Sequence, residues 1–140
     1  MDKKPIIAIT MGDPSGVGPE VIAKSLMSDR IPDCHFVVIG SASELNKAIS
    51  MIGSSYEVKS ISSLDEQNQA WQSQNKKQSI SVLNPMGIEI DDLEYGRISK
   101  EAGKASIEWV LEAARLASNK KVDAIVTGPI HKEACVLAGY

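Results

Sequence analysis

The sequence predicts an α/β domain built on a mainly parallel sheet with helices on both faces. Three observations carry that prediction. Short β-branched runs alternate with segments of helical period. One run, Phe36-Val37-Val38-Ile39, is continuously apolar, as a strand buried on both faces must be. Glycine- or proline-bearing turns separate the strand runs from the helical segments.

The first run, Pro5 to Thr10, reads as a strand feeding the loop Met11-Gly12-Asp13-Pro14-Ser15-Gly16-Val17-Gly18-Pro19. Pro19 and Glu20 suit a helix entry, because proline tolerates the first helical position and a carboxylate favours the positive end of the helix dipole. Val21, Ile22, Ser25 and Leu26 supply the expected apolar face, and the helix ends near Asp29 to Pro32. A second strand, His35 to Gly40, precedes the capping-box spacing Ser41-Ala42-Ser43-Glu44. That helix carries Leu45, Ala48, Ile49 and Ile52 on one side and stops at Gly53.

From Ser54 to Gln78 the chain turns to Ser, Gln, Asn and Lys, with weak alternation at Tyr56, Val58 and Ile61. One edge strand and a solvated excursion are expected there. Ser79 to Leu83 is another strand, followed by the turn Asn84-Pro85-Met86-Gly87. Ser99 can cap the longest helix, in which Ala102, Ala105, Trp109, Val110, Ala113, Leu116 and Ala117 recur at helical spacing. Trp109 therefore reads as core. Asn119, Lys120 and Lys121 suit the helix C-terminus. A strand over Val122 to Val126, the turn Thr127 to Lys132 and a helix from about Glu133 complete the order.

Composition narrows the function classes. The chain has 140 residues, 43% of them hydrophobic, and a formal charge of -3, so nothing draws it as a whole to nucleic acid or to an anionic membrane. Its apolar runs fall far short of the ~20 residues a bilayer-crossing helix needs. The N-terminus lacks the pattern of a secretory signal, and the cytoplasm is the default setting. Cys34 and Cys135 lack metal-ligand spacing and read as two buried thiols.

Chemistry concentrates in two loops, each following an expected strand and preceding an expected helix. Parallel sheets of this class place ligands at the carboxyl ends of their strands. The loop Gly12 to Glu20 offers glycines for close backbone approach and a helix N-terminus that can face an anion. It is neither a Walker loop nor a dinucleotide fingerprint. Asp13 can cap the loop amides or hold a substrate hydroxyl, capping being the plainer role. The loop Thr127 to Lys132 gathers a hydroxyl, a glycine amide, an imidazole and an ammonium. Lys132 can hold a phosphate or carboxylate as a point charge, and His131 can donate a hydrogen bond or exchange a proton. The plainer alternative makes His131 a helix cap and Lys132 a solvated charge. With His35 on a distant strand, His131 does not read as part of a metal site.

The strings MGDPSGVGPE and AGKASIEWVLEAARLASNKKVDAIVTGPIHKEACVLAG, in this order and spacing, resemble the N-terminal part of the 4-hydroxythreonine-4-phosphate dehydrogenase family. That family is similar in fold to the isocitrate and isopropylmalate dehydrogenases, whose GDGIGPE loop resembles Gly12 to Glu20. The resemblance implies NAD(P)-dependent oxidation of 4-phosphohydroxy-L-threonine, then loss of carbon dioxide, in pyridoxal phosphate biosynthesis. A divalent cation would polarise the alcohol oxygen. It further implies that residues 1–140 form the N-terminal α/β portion of a larger two-domain, homodimeric enzyme, incomplete at the C-terminus and inactive alone. The metal-ligand histidines are then expected beyond Tyr140. By the same resemblance, Gly12, Asp13 and Gly18 fall to the cofactor, Thr127 and Gly128 to the substrate, and His131 and Lys132 to the reacting group.

Three other readings stay open on the residues alone. Family members acting on phosphorylated four-carbon sugar acids, threonate or erythronate, keep similar motifs. A phosphotransacetylase-like transferase would use the glycine loops for phosphate without nicotinamide. A non-catalytic ligand-binding domain would need no complete catalytic set. An open sheet edge also predicts self-association of this piece.

Overall fold

The computed structural model describes residues 3–72, 79–87, 90 and 93–140. Five parallel strands form one sheet in the order β3-β4-β2-β1-β5: β1 (Ile6–Thr10), β2 (His35–Ile39), β3 (Glu57–Ile61), β4 (Ser79–Leu83) and β5 (Ala124–Thr127). The helices are α1 (Gly18–Leu26), α2 (Ala42–Met51), α3 (Leu64–Gln72), α4 (Lys100–Ser118) and α5 (Lys132–Leu137). From β1 to β3 the chain crosses the sheet in one direction, and from β3 to β5 it returns. Right-handed crossovers therefore put α1 and α2 on one face and α3 and α4 on the other. The packing agrees, since α1 lies on α2 while α4 lies across β1, β2 and β5.

Burial follows from this layering. Ala8, Val37, Val38 and Ile39 are inaccessible to solvent, and α4 adds Trp109, Ala105 and Ala113 to the same core. Trp109 is core, as its helical spacing predicted, and its indole Nε1–H donates to Asn84 Oδ1 at 3.3 Å, which satisfies the buried donor. Both expected caps form: Ser41 Oγ accepts from the Glu44 amide and Ser99 Oγ from the Ala102 amide.

Several expectations need correction. In α1 the buried residues are Gly18, Pro19, Ile22 and Ala23, whereas Val21 is exposed. Ile22 and Leu26 face the core as expected, whereas Ser25 is exposed with Val21 and the buried stripe runs through Gly18 and Ala23 instead. The solvated excursion contains α3, hidden by its sequence LDEQNQAWQ but signalled by Ser63 and Glu66 at capping-box spacing. The Glu66 amide donates to Ser63 Oγ at 3.3 Å. Residues 73–78 of that excursion lie outside the described residues. Cys34 is half-buried rather than buried, because it sits just before β2 at the sheet's rim; Cys135 is buried. Strand β5 begins at Ala124, later than expected, because Asp123 turns its carboxylate onto the Ile6 amide at 2.8 Å.

Candidate functional site

Register brings the two chemically rich loops together. β1 and β5 are parallel neighbours, with Thr10 opposite Thr127, so both loops leave the same end of the sheet side by side. The ladder continues past the strands: the Gly128 amide donates to the Thr10 carbonyl at 2.8 Å and the Asp13 amide to the Pro129 carbonyl at 2.9 Å. This is the convergence on which a shared site depends.

Glycine makes the contact possible. Gly12 has φ +75°, and a Cβ there would be driven into the Pro129 carbonyl oxygen. Gly128 backs onto the carbonyls of Thr10 and Met11, with an added Cβ only 2.7 and 2.6 Å from those oxygens. Gly18 packs against the Met11 carbonyl from the other side. Met11, fully buried, is thus the hub of the loop, a role its place in the motif did not reveal. From α4, the Ser106 hydroxyl shares its one proton between the Ala102 carbonyl of its own helix at 2.8 Å and the Gly12 carbonyl at 3.0 Å, 94 residues away.

Those contacts separate framework from surface. Gly12, Asp13 and Gly18 are all buried. The Asp13 carboxylate accepts from the Ser15 amide at 2.9 Å, the capping role anticipated for it. The tip of the loop is Gly16-Val17: Val17 is exposed, and half-buried Gly16 has only ordinary contacts with Asp13. Sequence reasoning did not single out this pair. In the second loop Thr127, His131 and Lys132 are exposed, and Gly128 is half-buried. His131 occupies the N-cap position of α5 without a side-chain cap hydrogen bond, and Lys132 is the first helical residue.

α5 is held in place by α4. Gly103 lies directly against the backbone of Ala134 and Cys135, and a Cβ there would collide with the Ala134 carbonyl. The Tyr140 hydroxyl donates to Glu108 Oε1 at 2.7 Å, which holds the phenol above its usual pKa. α4 therefore fixes both loops, one through Ser106 and the other through Gly103.

The arrangement forms one open wall. An ammonium and an imidazole exposed to water bind an anion weakly, because the solvent screens them. Strand β5 is exposed along its whole length, Val126 to 51%, although parallel strands are ordinarily covered on both faces. Among the described residues, no three His, Cys, Asp or Glu side chains are grouped to hold a metal ion. No described helix is long and apolar enough to cross a membrane.

With this geometry in view, likeness to known proteins identifies the chain's relatives. Residues 32–140 match the family described as "Pyridoxal phosphate biosynthetic protein PdxA". A Fusobacterium nucleatum protein named "Putative D-threonate 4-phosphate dehydrogenase" is 37% identical over 129 residues, which are 91% of this chain and 37% of that protein. The crystal structure of a 4-hydroxythreonine-4-phosphate dehydrogenase from Burkholderia phymatum superposes with a TM-score of 0.87 at 34% identity, covering 99% of this chain and 40% of that one. The corresponding structure from Klebsiella pneumoniae gives a TM-score of 0.80 at 32% identity, covering 97% of this chain and 40% of that one. The chain thus spans about two fifths of the length of these relatives. The expected α/β fold is that of its structural neighbours, and the chain belongs to the PdxA family.

Proposed function

We infer that the whole protein is a dehydrogenase that transfers a hydride from a 4-phosphorylated four-carbon hydroxy acid to NAD or NADP, with 4-phosphohydroxy-L-threonine as the leading substrate. The observation that carries this reading is the joining of the two loops by Asp13 and Pro129 in a chain of this family. The names of the relatives support a phosphorylated small-molecule substrate and oxidoreductase chemistry. D-threonate 4-phosphate is the second candidate, favoured by the name of the Fusobacterium nucleatum relative.

In this reading Thr127 and Gly128 face the substrate, and Gly12, Asp13 and Gly18 support the wall beside the cofactor through the tip Gly16-Val17. Lys132 attracts the substrate carboxylate. The His131 imidazole takes the proton of the oxidised hydroxyl, while bound NAD or NADP would accept the hydride. The resulting β-keto acid then loses carbon dioxide. The described residues do not group into a metal site, and the proposed ligands of a divalent ion would lie in the part of the polypeptide that the relatives have in addition.

Closure of the wall strengthens these charges by excluding water. The remaining polypeptide and a second subunit would provide that cover over β5. Two unpaired thiols, Cys34 and Cys135, accord with a reducing, cytoplasmic setting.

The test is an assay of the whole protein with NAD or NADP, a divalent metal and each of the two phosphorylated acids. Reduced nicotinamide and carbon dioxide in equal amounts are expected with one of them. Silence with both acids and both cofactors would defeat the redox reading.

A further inference from the structure

We propose that Gly103 and Ser106, neighbours on the buried side of α4, are a pair of positioning residues that set how the proton-taking loop stands to the cofactor-side loop, an inference that rests on the hydride-transfer reading above. Each touches a different loop. The Ser106 hydroxyl reaches the Gly12 carbonyl at 3.0 Å, and Gly103 seats the backbone of Ala134 and Cys135 in α5. α4 runs for 19 residues, capped by Ser99 and anchored by the fully buried Trp109, so it is a stiff bracket between the two loops.

Gly103 stands where a better helix former is expected. Glycine inside a helix is destabilising relative to alanine, and the backbone here is helical, so no unusual φ requires it. What requires it is α5: a Cβ would overlap the Ala134 carbonyl and stand 2.8 Å from the Cys135 nitrogen. Cys135 returns the contact, its buried thiol lying 4.0 Å from the Gly103 carbonyl oxygen. The Cys135 amide in turn donates to the His131 carbonyl at 3.1 Å. The seat is therefore one hydrogen-bonded turn from the imidazole of His131 and the ammonium of Lys132, and a shift of α5 is passed to both. His131 has no side-chain cap bond to resist it.

Ser106 restrains the other loop through the proton it shares between the Gly12 and Ala102 carbonyls. Positions three apart share a helix face, so the two anchor points are spaced by a rise of about 4.5 Å. Between them the Asp13 amide closes onto the Pro129 carbonyl at 2.9 Å, which completes a ring of contacts through both loops and the helix. Misplacing reacting groups by about 1 Å can cost about a hundredfold in rate, so this spacing bears on the chemistry as well as on stability.

The experiment measures steady-state kinetics of the whole protein with each of the two phosphorylated acids, well below its unfolding midpoint. Gly103→Ala should lower kcat about a hundredfold and raise the KM for the acid about fivefold, leaving the KM for nicotinamide within about twofold. Ser106→Ala should do the reverse in KM, raising that for nicotinamide about fivefold and leaving that for the acid within about twofold. Loss of folded enzyme alone would lower kcat and move neither KM. That pattern in either variant, or both KM values rising together, would overturn the proposal. Should Gly103→Ala fail to fold, Cys135→Ala removes the thiol beside the Gly103 carbonyl and carries the same test, with a loss of about tenfold in kcat/KM for the acid. Wild-type enzyme silent with both acids and both cofactors would strike the redox reading and this inference with it; active wild type with unaltered variants would strike this inference alone.

Discussion

The backbone amide of Asp13 donates to the carbonyl of Pro129 at 2.9 Å, tying the turn after the first strand to the turn after the last. Gly12 permits that bond, and replacing it tests the junction. Gly12→Ala imposes a positive φ on a residue with a side chain and drives its methyl into Pro129. A loss of about 3 kcal/mol in urea unfolding is expected. Gly16→Ala, at the tip of the same loop, meets only ordinary contacts with Asp13 and should stay within about 0.5 kcal/mol of wild type. Equal losses in the two variants would refute the distinction between framework and surface.

Gly103→Ala tests the seating of α5. The added methyl meets the Ala134 backbone, which cannot rotate out of the way as a side chain can. Destabilisation of about 2–3 kcal/mol is expected, with amide shifts centred on Ala134 and Cys135. An unchanged melting curve would show that α4 does not position the second loop.

Ser106 joins α4 to the first loop by a single buried hydroxyl. Ser106→Ala removes the hydroxyl shared between the Gly12 and Ala102 carbonyls and should cost about 1–2 kcal/mol. Faster hydrogen exchange at the Asp13 amide should accompany the loss. Protection equal to wild type would mean that the loop needs no support from the helix.

His35 predicts a pH dependence at the opposite end of the sheet. Its ring stacks on Trp71 with centroids 4.5 Å apart and planes 7° from parallel. Burial first, then the neighbouring Lys4 charge, pulls its pKa below the ordinary 6.5, against the opposing effect of Asp33. Between the lowered folded value and 6.5 the unfolded chain binds more protons, so this stabilisation is complete above that window and is lost as pH falls through it. His35→Phe should therefore lose less stability than wild type between about pH 7.5 and about pH 5. A steeper loss in the variant would reverse the assigned sign.

The strand order was legible only in part. Short apolar runs marked β1, β2, β4 and β5, weak alternation marked the edge strand β3, and the caps at Ser41 and Ser99 marked α2 and α4, because those signals are local. α3 escaped detection because Leu64, Ala70 and Trp71 are the apolar residues in a nine-residue helix, too few to show a period. The two loops were recognisable from residue type. Their convergence was expected as well, since both follow strands of one parallel sheet, and β5 returning beside β1 brings it about.

The most direct measurement is the kcat/KM of the whole protein for hydride transfer from a 4-phosphorylated four-carbon acid, compared with that of Lys132→Ala. If the joined turns form one wall of the reacting pocket, removing this ammonium should lower kcat/KM by about a hundredfold or more while the unfolding midpoint stays put. A variant as efficient as wild type would show that the reaction takes place elsewhere.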